Sequence, residues 1–193
     1  MNKIVEFDGI PYELARLDRA AVESLHASGV LDELGPVELI DGVLVRMSPS
    51  MSSHGYAMLR LGAALLPAFQ NRYRIGTDIG VFLGETTMHA PDICVVKRDA
   101  KSGFLDVSDL VMAIEISASS LSEELDRKAR EYAAHGIPEY WVVALETRKL
   151  HRHRAPGPAG YADIFVTDWE ATVTPDCAPD FDLRLAAVLD DIL

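Results

Sequence analysis

Three short apolar runs in this chain each carry one carboxylate: Glu38 in PVELI, Asp92 in PDICVV and Glu115 in VMAIEIS. Runs of this length, rich in β-branched residues, read as strands that are covered on both faces. A strand buried on both faces needs a sheet with helices packed against it. A carboxylate within such a strand needs a partner, because burying it unpaired costs several kcal/mol or shifts its pKa. A divalent cation would satisfy all three acids if the fold brings them together, and oxygen donors suit Mg²⁺ or Mn²⁺. For each acid alone, a strand-end position bonded to solvent or to a backbone amide explains it equally well.

The remaining punctuation of the chain supplies helices and further strands. Asp18 caps a helix to Ser28, with Val22 and Leu25 on one face and Gly29 after its end. Val37–Ile40 and Val43–Met47 flank Asp41-Gly42, a type I′ hairpin signal. Ser52 or Ser53 starts a second helix with Met58, Leu61, Leu65 and Phe69 as its apolar stripe, which Pro67 should kink or end. Residues 74–83 and 90–96 read as strands, 99–109 as a polar loop, and 111–116 as a buried strand. A third helix starts at Ser119 or Ser120 and closes near His135 with Gly136. Residues 140–145 form a strand, 149–154 and 161–167 a hairpin around APGPAG, and 183–192 a C-terminal helix. Strands interleaved with helices predict an α/β (α+β) chain with a mixed central sheet, flanking helices and additional hairpins. With 193 residues and no linker, a single domain over 1–193 is expected.

Composition narrows the function. Hydrophobic residues make up 49% and charged residues 25%, which excludes disorder. No run approaches a membrane span, and MNKIVEFDGIPYEL lacks the apolar region of a secretion signal. Cys94 and Cys177 are too few for a disulfide framework or a zinc site. A reducing cytoplasm and no membrane partner are therefore expected. Lys plus Arg number 18 against 30 Asp plus Glu, a net charge of −12. Such a surface repels phosphate backbones at long range, which argues against non-specific coating of DNA. It leaves room for a nucleic-acid enzyme, because a bound divalent metal reverses the local field.

The third helix places Glu124, Lys128 and Tyr132 at i, i+4 and i+8, one face of an α-helix. It follows directly on the strand of Glu115, so Lys128 can reach toward the carboxylates. A solvated Glu124–Lys128 pair is the plainer reading of that spacing. His54, at a helix start, could touch a phosphate or assist the site, or could simply be structural. Arg148, Lys149, Arg152 and Arg154 form the densest basic run. Arg152 and Arg154 could contact phosphates, or the run could be a charged edge strand. Glu139-Tyr140-Trp141 reads as strand entry and packing.

Taken in order, ELIDGVLVRMSP, His54, PDICVV, AIEISASS, Glu124-Leu125-x-x-Lys128-x-x-x-Tyr132, GIPEYWVV and PDFDLRLAAVLDDIL resemble the Uma2-type endonuclease family of the PD-(D/E)xK superfamily. The resemblance runs from about Tyr12 to the end. It implies the restriction-endonuclease-like fold and Mg²⁺- or Mn²⁺-dependent hydrolysis of DNA. It implies Asp92, preceded by Pro91, as the first acid and Glu115 as the second, with Glu38 as an additional acid from an early element. The superfamily's lysine two residues after the second acid is absent, since position 117 is Ser117. The resemblance places that role on Lys128. Asp92, Glu115 and Glu38 are thus the expected metal ligands, with Lys128 completing the catalytic set. Nucleases of this fold often act as two-fold pairs, so a homodimer is expected. The alternatives are a catalytically silent module that keeps the fold for binding or assembly, and processing of RNA.

Overall fold

The structure, a computed structural model, describes residues 4–69, 71–118 and 120–192. Ser119, one of the two expected helix caps, lies outside the described residues. The chain groups into two compact units, Met1–Ser48 with Phe82–His89, and Pro49–Val81 with Ala90–Leu193.

The larger unit is built on a six-stranded sheet. Its strands are β1 (Tyr73–Gly76), β2 (Ile93–Lys97), β3 (Leu110–Ser117), β4 (Glu139–Ala144), β5 (Lys149–Gly157) and β6 (Gly160–Asp168). Their spatial order follows the chain, from β1 at one edge to β6 at the other. All neighbours are antiparallel except β3 and β4. A parallel step needs a crossover, and the helical segment 121–134 provides it.

Alternation along the strands gives the sheet two different faces. One carries Ile93, Val95, Met112, Ile114, Ile116, Trp141 and Val143, all buried. Helix α1 (Ser52–Phe69) packs here through Ala57, Leu61, Leu65 and Phe69, four residues apart along one stripe. The opposite face carries Glu115, Ser117, Tyr140 and His153, and the second half of the 121–134 helix lies over β5 and β6.

In the smaller unit, Asp18 caps the helix Arg19–Ala27 by accepting from the Ala21 N–H at 2.9 Å. The hairpin Val37–Ile40/Val43–Arg46 turns at Asp41 and Gly42, with φ of 51° and 79°. Both central residues are left-handed, as a type I′ turn requires. At Gly42 a Cβ would sit 2.8 Å from Cβ of Arg16, so glycine is needed for space as well as for φ. The same Asp-Gly signal at Asp8-Gly9 closes a hairpin, Ile4–Phe7/Ile10–Glu13, that the sequence reading did not name.

Several element boundaries differ from expectation. Pro67 does not stop α1, which continues to Phe69. So near the end, proline removes only its own N–H from the ladder. The strand expected over 74–83 is two, Tyr73–Gly76 and Val81–Phe82, interrupted where Asp78 takes φ of 52°. The loop 99–109 contains a short strand, Leu105–Asp106, and a 3₁₀ turn, Val107–Asp109. β5 and β6 extend through APGPAG, leaving only Pro158-Ala159 between the paired residues Gly157 and Gly160. The expected helix over 183–192 is a strand, Leu183–Arg184, paired to Thr172–Val173, then a single turn, Ala186–Leu189. Among the described residues no helix is long and apolar enough to cross a membrane.

Candidate active site

Glu115 sits near the end of β3 on the sheet face under the crossover helix, only 3% exposed. Its Oε1 accepts from Lys128 Nζ at 2.9 Å and from the Tyr132 hydroxyl at 3.1 Å. Lys128 is itself 6% exposed and Tyr132 is fully buried. The solvated pairing of Lys128 is therefore overturned: the amine is inside, against the acid of the preceding strand.

The helix achieves this with an irregular turn. Within 121–134, which we label α2, Leu121–Glu123 and Ala129–Ala134 are α-helical, whereas Glu124–Lys128 is π-helical. The π turn closes with the Ala129 N–H donating to the Glu124 carbonyl. Single π turns recur at functional sites because they re-aim side chains. The Tyr140 hydroxyl from β4 donates to that same Glu124 carbonyl at 3.2 Å. The Tyr132 and Tyr140 rings meet 4.9 Å apart. Glu124 is buried too, but its carboxylate turns back to accept from the Ser120 hydroxyl at 2.6 Å. Of the three residues expected on one face, Lys128 and Tyr132 converge on Glu115, while Glu124 closes the start of the helix.

Asp92 immediately precedes β2. The β2–β3 register pairs Ile93 with Ile114. One further step sets Asp92 opposite Glu115, a position where side chains of neighbouring strands share a face. Asp92 Oδ2 accepts from the Ile116 N–H at 2.6 Å and lies 3.0 Å from His54 Nε2. The hydrogen bond to Asp92 raises the His54 imidazole above its ordinary value, reinforced by the charges of Asp92, Asp78 and Glu115. Asp78, which the sequence reading missed because it lies in a turn and not in an apolar run, belongs to the same electrostatic group. Although its surface is exposed, partial desolvation and then the charge of Asp92 hold its carboxyl above the usual range.

The other candidates have intramolecular partners. In the smaller unit, Glu38 is 2% exposed and its Oε2 lies 3.2 Å from Nδ1 of the buried His89. The sequence reading had assigned no role to His89. Arg152 donates to Glu139 and to Asp176, each at 2.6 Å. Arg154 donates to Asp176 at 3.1 Å and stacks its guanidinium over Phe165. The buried Glu139 also accepts from the Trp141 indole at 2.7 Å and the Asp176 N–H at 2.7 Å, which bears out its packing role. Burial pushes the Cys94 thiol up and holds Cys177 up to about 12, so both stay protonated at neutral pH.

The donor set fits a hard divalent cation. Asp92 Oδ1 accepts no bond from the chain, and the facing group, Glu115, is also an oxygen donor. Among the described residues no three His, Cys, Asp or Glu side chains are grouped to cage a metal. Mg²⁺ does not require such a cage, since it is commonly bound by one or two carboxylates, waters and substrate phosphates.

A sheet in this order, with acids on facing strands, defines a restriction-endonuclease-like fold. A crystal structure described as a "putative nuclease belonging to DUF820", from Anabaena variabilis ATCC 29413, matches with a TM-score of 0.66 and 17% identity, covering 81% of this chain and 91% of that one. No curated protein matches the chain. The chain belongs to the Uma2 family: the family model "Uma2: Putative restriction endonuclease" matches residues 23–186.

Proposed function

We propose that the chain is a metal-dependent endonuclease that hydrolyses DNA phosphodiester bonds, with Asp92 and Glu115 holding Mg²⁺ or Mn²⁺. The observation that carries this reading is the buried 2.9 Å contact between Lys128 and Glu115. It sets a cation beside an acid of the motif although position 117 is serine. The family membership supports the nuclease class. Glu38 enters the proposal only through the family resemblance.

A metal at these carboxylates would activate water and neutralise charge on the phosphoryl group. The chain's own contributions follow from its contacts. Asp92 is oriented by the Ile116 N–H. Glu115 is held by Lys128 and Tyr132 on one oxygen. Lys128 supplies fixed positive charge close to where the phosphate would lie, and its burial under α2 strengthens that charge by limiting solvent screening.

The test is a cleavage assay on several DNA forms, and on RNA, with Mg²⁺ or Mn²⁺. Metal-dependent DNA cleavage is expected, abolished in Asp92→Ala and reduced about a hundredfold or more in Lys128→Ala. A second reading is a silent module that uses the fold to bind or assemble, and the net charge of −12 favours it. Absence of cleavage on every substrate, with the wild type folded, would select it.

A further inference from the structure

We infer that His54 is a positioning residue for Asp92, fixing which carboxylate oxygen is presented to a divalent cation. The inference rests on the metal-site reading above. A carboxylate that turns freely about its last torsion offers either oxygen. Here both donors, the Ile116 N–H and His54 Nε2, fall on Oδ2. One orientation is thereby selected, and Oδ1 is left without a partner from the chain.

The ring comes from a rigid support. His54 is the third residue of α1, and Leu61, Leu65 and Phe69 further along that helix are locked in the apolar core. The two side chains are nearly enclosed, at 14% and 13% exposure, so water competes weakly for the bond. His54 Nδ1 is buried with no hydrogen-bond partner. Buried polar atoms are normally paired. The ring therefore accepts an unmet bond on one nitrogen to keep the other on Asp92. A proton on Nε2 is present both in the cation and in one neutral tautomer, so the contact does not depend on titration of the ring.

The experiment is direct Mn²⁺ binding, by calorimetry and by electron paramagnetic resonance, without nucleic acid. The proteins are wild type, Asp92→Ala, His54→Ala, His54→Gln and His54→Asn. Glutamine can carry an amide N–H to about the place of Nε2, whereas asparagine is too short. Wild type is expected to bind and Asp92→Ala to lose binding. His54→Ala and His54→Asn are expected to weaken Mn²⁺ by about ten- to a hundredfold, the usual cost of losing a partner of a metal ligand. His54→Gln should stay within a few-fold of wild type. A loss caused only by packing would not separate glutamine from asparagine, so equal affinities for those two overturn the inference even if His54→Ala fails to fold. Wild-type affinity in His54→Ala, with Asp92→Ala inactive in binding, overturns it while the metal site stands. A wild type that binds no Mn²⁺ overturns both.

Discussion

The two faces of the six-stranded sheet are made from alternate residues of the same strands, yet they are held by different physics. On one face Ile114 and Ile116 meet the Ala57–Leu61–Leu65–Phe69 stripe of α1, an apolar contact without direction. On the other, Glu115 between them meets Lys128 and Tyr132 through directional bonds. Apolar packing tolerates rearrangement of similar volumes. A buried charged network does not, because each member removed leaves another unmet. The comparison shows how a single strand can anchor the fold and aim a site at once.

The sharpest way to break the contrast is Glu115→Ala. It removes a buried carboxylate from the face of Lys128, and breaking such a pair by deleting one partner costs about 3–5 kcal/mol. Urea denaturation should show a loss of that size, and a loss below about 1 kcal/mol would mean the second face is held by something else. Leu61→Ala probes the other face. Truncating a fully buried leucine should cost about 2–5 kcal/mol. Mn²⁺ affinity should be unchanged, and a fall in it would show that the faces are coupled.

The smallest effect is in pH dependence. His153 is buried between the rings of Tyr140 and Tyr161. Desolvation holds its imidazole below the ordinary 6.5. Above that value His153 is neutral in both the folded and the unfolded chain and costs nothing. As pH falls through it, the unfolded chain takes up a proton that the folded chain refuses, and stability declines. His153→Gln should therefore lose less melting temperature than wild type between about pH 7 and pH 5. Parallel curves would remove His153 from the account.

The two faces also differ in how far the sequence discloses them. The apolar face follows from periodicity, since Leu61, Leu65 and Phe69 recur every fourth residue and β3 is almost uninterrupted. Asp92 and Glu115 were conspicuous because a lone acid in an apolar run is costly. The partners were harder to find. Lys128 looks like any helical surface lysine, and only the family pattern marked it. His89 stands far from Glu38 in sequence, and Asp78 lies in a turn where acids are ordinary. The strand break at Asp78 and the short C-terminal turn likewise depend on tertiary context. Nothing in the local sequence announces the π turn, because it is set by what α2 must reach across the sheet.

That turn also makes the length of α2 matter separately from its composition. Each residue advances an α-helix by about 100°. Deleting one residue between Glu124 and Lys128 would let the helix run regularly, but would swing everything after it around the axis. Tyr132 and Ala133, now inward, would trade places with solvent-facing neighbours such as Arg130 and Ala134. The exposed Asp126 can change identity at little cost, whereas its removal as a residue puts the whole downstream half of the helix out of phase with the sheet.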